Sequence, residues 1–255
     1  MVMNNYRTGI SNSIPPVTLN LIIINVIVWL AQSLLFRRGI DISNFLGLHY
    51  IESAAFQIYQ PITYMFLHDP RSFIHVFSNM FAVFMFGRFI EQYWGSKRFI
   101  SYYFITGIGA AAIQMLVVYF RLLFIKNGMS DEAISEVYAN GHSIIMQGMN
   151  YSDPLQGNLN MILNSATIGA SGAVFGILLA FAMIFPNVEM MIIPIPVPIK
   201  AKWMVLGYGI VELFFGVANF SGDNVAHFAH LGGILFGLLA ILYWKKKDRK
   251  DGRFF

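Results

Sequence analysis

Ser171 occupies a position in this sequence that is typical of a nucleophile. It lies in the segment Gly169-Ala170-Ser171-Gly172, between two small residues, where a long apolar run begins. A serine hydroxyl is a weak nucleophile until a neighbouring base takes its proton. The chain contains no cysteine, which excludes a thiolate nucleophile and a thiolate metal site. Any covalent chemistry here therefore requires a base within reach of Ser171.

His230 is the predicted base, because it lies in a second apolar run with the same spacing of small residues. The two stripes, each with a small residue at every fourth position, are Gly172, Gly176 and Ala180, and Ala229, Gly233 and Gly237. Such stripes let helices approach closely in lipid. If they face each other, the Ser171 hydroxyl meets the His230 imidazole, which can accept a proton near neutral pH. The alternative is that both stripes serve packing alone.

His227 lies one turn before His230 and competes for the role of base. The glycine spacing fails from His227, because residue 230 is then His and residue 234 is Ile. His230 also lies one turn deeper in its apolar run, which suits a serine on a helix that begins below the membrane surface. Phe175, one turn after Ser171, can pack against the imidazole and hold its orientation. We therefore predict a Ser–His dyad built from Ser171 and His230.

Glu212 is the acidic residue that lies well inside an apolar run, and the sequence does not place it beside His230. A carboxylate within a membrane span is costly and by default suggests a functional site. Two interpretations stay open. Glu212 is a protonated carboxyl bonded to a neighbouring helix, or it acts as a latch on its own span.

An oxyanion site for the dyad is predicted from His75 and Asn79, which are four residues apart and share one helix face. The backbone N–H of Ser171, at a helix N-terminus, supplies a further donor. Taken alone, His75 is more simply a structural hydrogen-bonding residue. Together with Asn79 and a nucleophile, the oxyanion role is favoured.

The remaining polar residues in or near the apolar runs are expected to be structural. Arg88 and Glu91 have the spacing of an ion pair, and His49 and His68 are expected on the surface of a loop. No His-Glu-x-x-His element occurs, and the histidines do not cluster at ligand spacing along the sequence. We expect no metal and no cofactor.

The elements that must position these residues are membrane spans. Of the 255 residues 56% are hydrophobic and 12% are charged, whereas soluble domains carry about 25% charged residues. Runs near the roughly 20 residues that cross a bilayer recur along the whole chain. The predicted spans are 19–36, 73–94, 99–121, 171–186, 203–220 and 226–244. The predicted fold is an all-α polytopic bundle of six transmembrane helices, with little room for a soluble domain.

The distribution of basic residues predicts the orientation of this bundle. Twelve of the 17 Lys and Arg residues fall on the side of the two termini, which the positive-inside rule places in the cytoplasm. We expect a cytoplasmic tail at 1–18, a membrane domain at 19–244 with external loops 37–72 and 122–170, and a basic cytoplasmic tail at 245–255. The first span is expected to be retained, since it lacks a small-residue cleavage site. The charges form no stripe, so nucleic acid is not an expected partner.

The connecting segments carry weaker signals. Ser130 has the character of a helix cap, followed by Asp131 and Glu132 in a first turn. Segment 186–202 contains four prolines and is expected to be a rigid cytoplasmic linker. Met146, Met149 and Met161 in segment 122–170 suggest a soft surface that touches lipid or peptide.

These motifs together resemble the rhomboid family of intramembrane serine proteases over nearly the whole chain. Each motif is weak alone, but all four occur in the right order and on the right spans: His75-x-x-x-Asn79, Gly87-Arg88-x-x-Glu91-x-x-x-Gly95, Gly-Ala-Ser171-Gly, and Ala229-His230-x-x-Gly233-x-x-x-Gly237. The resemblance implies that Ser171 is the nucleophile and His230 the base. It implies an oxyanion site of His75, Asn79 and the Ser171 amide, and a water-filled cavity open to the exterior.

One loop departs from the family pattern. The first external loop of rhomboids often carries a Trp-Arg pair shortly before a threonine, whereas this chain has Tyr59-Gln60-Pro61-Ile62-Thr63. The anchoring of this loop is therefore left open, although no catalytic residue is lost.

The resemblance implies an endopeptidase that cleaves single-span membrane proteins in or near the bilayer, in the bacterial inner membrane. A catalytically inactive relative that binds or escorts membrane proteins is the alternative, but such relatives lose the serine or the histidine. A transporter is disfavoured because no internal repeat is visible. The sequence does not indicate an oligomeric state.

Overall fold

The computed structural model describes residues 13–192, 195–218 and 226–250, and it describes only the backbone of residues 192, 195, 196 and 250. Parts of both predicted tails and the end of the fifth predicted span lie outside these residues. The helices are α1 (Pro16–Phe36), α2 (Ser43–Leu46), α3 (Gln60–Thr63), α4 (Phe73–Ala82), α5 (Arg88–Trp94), α6 (Ser96–Lys126), α7 (Asp131–Met146), α8 (Pro154–Asn164), α9 (Ser171–Ile184), α10 (Ala201–Ala218) and α11 (His227–Lys250). The strands are β1 (Glu189–Ile192) and β2 (Ile195–Lys200).

The fold is an all-α polytopic membrane bundle, as predicted. Within the described residues, five helical stretches are long and apolar enough to cross a membrane: α1, α4 with α5, α6, α10 and α11. A π-helical turn at Val83–Gly87 joins α4 to α5. Helix α9 is apolar but has only 14 residues. The predicted count of six spans depends on α9 and stays a prediction.

Helices α6, α9 and α11 form the centre of the bundle. Small residues at their contacts let the helix backbones approach closely. A Cβ on Gly233 would overlap the Gly172 carbonyl oxygen, so α9 and α11 touch backbone to backbone at this level. Further along, α6 comes between the two stripes. Tyr102 donates a hydrogen bond of 2.9 Å from its hydroxyl to the Gly176 carbonyl oxygen and fills the space beside Gly237. The stripes therefore touch at Gly172 and Gly233, whereas Gly176 and Gly237 each lie against side chains of α6.

Glu91 connects α5 to the starts of α1 and α6, and its contacts differ from the predicted ion pair with Arg88. Its carboxylate accepts hydrogen bonds from the backbone N–H groups of Val17 and Thr18, at 3.0 and 2.7 Å, and from the side chains of Thr18 and Ser96. These N–H groups lie in the first turn of α1, where helical donors lack intrahelical partners. The Arg88 guanidinium lies over the rings of Phe84 and Phe89 instead. The ion pair expected from the Arg88–Glu91 spacing is thus replaced by a helix cap.

The segment expected to be a rigid linker contains an antiparallel hairpin of β1 and β2. Met190 pairs with Ile199 and Met191 with Pro198. The prolines exclude helix, as predicted, but they do not exclude a two-stranded ribbon. Each strand of such a ribbon has one open edge, where a proline that lacks an N–H leaves no ladder bond unmade.

The segment between α6 and α9 folds into α7 and α8, which pack on α6 around a small apolar cluster of Tyr50, Leu122, Ile125, Val137, Leu159 and Leu163. Ser130 caps α7 by accepting a hydrogen bond from the Ala133 N–H, which confirms the predicted helix start. Helix α8 was not predicted from the sequence, although Asp153 caps it in the same way and Pro154 lies in its first turn. Met146, Met149 and Met161 are exposed, as expected for a contact surface.

Candidate active site

The residues before Ser171 are held by backbone hydrogen bonds to the first loop. Leu48 and Thr167 exchange two bonds of 2.9 and 2.8 Å, and the Gly169 N–H donates to the Tyr64 carbonyl oxygen at 3.0 Å. Helix α9 then begins at Ser171, with no side-chain cap from Ala170. The first N–H groups of a helix have no intrahelical acceptor, so this end of α9 offers donors to a ligand.

The Ser171 hydroxyl and the His230 imidazole meet as the sequence predicted. Ser171 Oγ lies 2.7 Å from His230 Nε2, a hydrogen-bond distance across α9 and α11. The His230 ring stacks on Phe175, with ring centroids 4.3 Å apart and planes inclined by 10°. His230 is only 8% exposed. The close contact of Gly172 and Gly233 one step away sets the distance between the two helices at this point.

Glu212 lies beside Ser171 and His230, a position that was not predicted from the sequence. One oxygen, Glu212 Oε2, lies 2.9 Å from His230 Nδ1 and 2.6 Å from His227 Nδ1. The contact between Glu212 and His230 has the distance of an ion pair without the aligned geometry of a hydrogen bond. A signal for this contact was available. His227 and His230 are three residues apart on one helix face, so an acid on the adjacent helix that reaches one also reaches the other.

The same three side chains form a cluster that could in principle hold a metal ion. Their ligand atoms lie within 4.8 Å of one another, so two histidines do come together with an acid despite their unpromising spacing in sequence. The distances of 2.6 and 2.9 Å to one oxygen are shorter than the about 3.3 Å that separates neighbouring ligands of tetrahedral zinc. The arrangement is therefore that of imidazoles paired directly with a carboxylate.

His75 is oriented as a hydrogen-bond donor toward Ser171. The Asp69 backbone N–H donates to His75 Nδ1 at 3.2 Å, so the ring proton of the neutral imidazole is assigned to Nε2. Gly169 has a φ of +132°, and a Cβ there would lie 3.3 Å from His75 Nε2 and 3.4 Å from Ser171 Oγ. The missing side chain of Gly169 thus leaves space between these two atoms, where an oxyanion could be accommodated.

Asn79 lines the same cavity as His75, Ser171 and His230. Its amide nitrogen donates one hydrogen bond of 2.9 Å to the His75 carbonyl oxygen. A carboxamide has two N–H groups, so a second donor remains on this nitrogen. Asn79 is buried, and its backbone bond fixes the side chain on the face of α4 that carries His75.

Two loop histidines expected on the surface are buried. His68 is fully buried with its ring centroid 5.0 Å from that of His75, and burial lowers the pKa of His68 to about 3. His49 is also buried, and desolvation lowers the pKa of its imidazole. Both lie in a loop that folds inward over the site. The prediction of exposed histidines was wrong because this connecting segment packs against the bundle.

Gln60 anchors this loop at the point where the rhomboid Trp-Arg pair is missing. It is fully buried, accepts a hydrogen bond from the His49 N–H at 3.1 Å, and donates to the carbonyl oxygens of Phe45 and Ala55 at 3.1 and 2.9 Å. Thr63 adds a bond of 2.6 Å to the Leu46 carbonyl oxygen. A neutral amide therefore ties the loop to itself through three of its backbone groups.

The fold and the site together define a class of protein. It is a polytopic helical membrane protein in which a serine and a histidine are in contact inside the bundle. The comparison with known families agrees, because a Rhomboid domain model matches residues 55–247, which is more than half of the chain. The chain belongs to the rhomboid family. No curated protein matches it.

Proposed function

We propose that this protein is an intramembrane serine endopeptidase that hydrolyses single-span membrane proteins in or near the external boundary of the bilayer. The observation that carries the proposal is the 2.7 Å contact between Ser171 Oγ and His230 Nε2 in a bundle of the rhomboid family. Inactive relatives are expected to lack one of these residues, and this chain retains both.

The proposed reaction has two halves. Ser171 Oγ attacks the scissile carbonyl carbon while His230 Nε2 takes the hydroxyl proton, and the imidazolium then gives that proton to the leaving amine. Water, deprotonated by the same imidazole, hydrolyses the acyl-enzyme and frees Ser171. Stacking on Phe175 keeps the ring in place through both proton transfers.

The negative charge on the carbonyl oxygen requires donors that are in place before the reaction. The candidates are His75 Nε2–H, the second N–H of the Asn79 amide, and the Ser171 backbone N–H. The gap left by Gly169 supports this assignment, because it lies next to both His75 Nε2 and Ser171 Oγ.

A membrane-spanning substrate suits the shape of the cavity. The space that contains Ser171 and His230 also reaches Phe86 beyond α4 and Leu178 on α9. Leu178 is seven residues beyond Ser171, about 10 Å along the helix axis. An intact substrate helix hides its peptide carbonyls in internal hydrogen bonds. We therefore expect small or helix-breaking residues near the cleaved bond.

Purified protein in detergent, incubated with a labelled single-span substrate panel, tests this proposal. Wild type is expected to cut at least one substrate, and Ser171→Ala and His230→Ala are each expected to lose at least about 10³-fold in rate. Ser101→Ala, at an exposed position of α6 away from the residues that line the cavity, is the matched control and should cut like wild type. Normal cleavage by Ser171→Ala would refute the assignment, whereas no cleavage by any form would favour the inactive escort protein.

A further inference from the structure

We infer that Glu212 is a positioning residue for the proposed base, so that Ser171, His230 and Glu212 act as a triad assembled from α9, α11 and α10. The inference rests on the proposed function. It starts from the cluster of Glu212, His227 and His230, which was not predicted from the sequence and of which the Ser–His dyad uses only His230.

The two ring nitrogens of His230 face different partners. Nε2 lies 2.7 Å from Ser171 Oγ, and Nδ1 lies 2.9 Å from Glu212 Oε2. A neutral imidazole carries a single ring proton, and only the nitrogen without it can act as a base. A carboxylate beside Nδ1 draws the proton to Nδ1. Nε2 is then left as the acceptor that faces the serine hydroxyl.

The negative charge of Glu212 also favours proton transfer from Ser171 to His230. When Ser171 attacks a substrate, His230 becomes an imidazolium, which a carboxylate stabilises without taking the proton itself. The side chains of Glu212 and His230 are only 14% and 10% exposed, so little solvent screens this attraction. A charge that is costly to bury in a span thereby stabilises the state in which His230 holds the serine proton.

His227 fixes the carboxylate in position. Its Nδ1 lies 2.6 Å from the same Glu212 oxygen, and its ring stacks on Phe215 of α10 at 5.6 Å. His227 and His230 share one face of α11, so Glu212 contacts both from α10. Movement of α10 away from α11 would break both contacts at once. The placement of the carboxylate beside His230 therefore depends on the packing of α10 against α11.

The experiment compares Glu212→Gln with Glu91→Gln in the full-length protein in detergent. The second variant is the matched control, because Glu91 is also a buried carboxylate in a span but lies beside α1. In Glu212→Gln the negative charge beside His230 Nδ1 is lost, and an amide nitrogen in the place of Oε2 would donate to Nδ1 and select the wrong tautomer. The analogous change in serine protease triads costs about 10⁴-fold in kcat. Because Phe175 still holds the ring, we expect kcat per folded molecule to fall at least about tenfold, with KM within about twofold.

Imidazole ¹⁵N NMR supplies a measurement that a purely structural role would not move. Wild-type His230 is expected to carry its proton on Nδ1, and in Glu212→Gln the proton is expected on Nε2. The wild-type spectrum keeps the inference testable even if the variant fails to fold, since an Nε2–H tautomer there would overturn it.

The other outcomes separate the inference from the proposed function. Glu212→Gln with unchanged kcat, beside an inactive Ser171→Ala, would overturn the inference and leave the protease intact. Wild type that cleaves nothing would instead contradict the protease. Activity lost on chelation with EDTA and restored by Zn²⁺ would assign Glu212, His227 and His230 to a metal and would also overturn the triad.

Discussion

Glu91 and Glu212 are both carboxylates within membrane-spanning helices, and their surroundings differ in kind. Glu91 is almost fully buried and receives four hydrogen bonds, two of them from backbone N–H groups that cannot change their protonation. Glu212 meets two imidazoles, one of which also contacts Ser171. Donors that keep their protons suit a structural role for Glu91. Imidazoles, which gain and lose protons, suit a role for Glu212 in proton transfer.

The comparison also explains why each acid is tolerated in an apolar helix. An ionised carboxylate in a span is costly unless its oxygens are paired. Glu91 meets this requirement by capping α1, which ties the first helix to α5. Glu212 meets it through residues of α11, which ties α10 to the helix that carries the proposed base.

The largest effect is expected from breaking the helix contact that brings Ser171 and His230 together. In Gly233→Ala the new Cβ would overlap the Gly172 carbonyl oxygen and push α9 and α11 apart. Overpacking of this kind costs about 1–3 kcal/mol in stability. We expect cleavage to fall at least tenfold, because displacement of about 1 Å in catalytic geometry costs about 10²-fold. Cleavage rate and thermal unfolding in detergent measure the two losses.

Gly207→Ala is the control for that substitution. Gly207 lies in α10 with no atom within 4 Å of the added Cβ, so only helix propensity changes. Alanine is favoured over glycine by about 1 kcal/mol in a helix. Tm should hold or rise slightly while the cleavage rate stays constant. Equal losses in both glycine variants would show that the α9–α11 contact has no special role.

A smaller effect, on stability alone, is expected from Glu91→Gln. An amide has one acceptor oxygen where the carboxylate has two, so some donors at the start of α1 lose their partner. Each buried donor left unpaired costs about 1–3 kcal/mol. Tm should fall while kcat per folded molecule stays within about twofold. A loss of kcat at unchanged Tm would remove the distinction between the two acids.

Most of the membrane-spanning helices could be predicted, because each is recognised from the apolar residues along its own segment of the sequence. Apolar runs gave the five long spans within a few residues, and Ser130 gave the start of α7. The pairing of Ser171 with His230 followed from glycine spacing, because close helix contact in lipid needs small residues at fixed intervals.

The remainder depends on how elements rotate and fold against one another, which spacing along one helix does not determine. Glu212 was left without a neighbour because its helix could turn any face toward α11. Glu91 was assigned to Arg88, three residues away, whereas Val17 and Thr18, which donate to its carboxylate, lie more than 70 residues away in sequence. His68 and His49 were misplaced because their loop packs inward through bonds such as those of Gln60.

The central claim is that His230 activates Ser171 for covalent chemistry. Treatment of the detergent-solubilised protein with a fluorophosphonate, followed by peptide mass spectrometry, tests it most directly. We predict one adduct, on the peptide that contains Ser171, which disappears in His230→Ala although that variant remains folded. An unmodified Ser171 in a preparation that still cleaves substrate, or equal labelling with and without His230, would contradict the account.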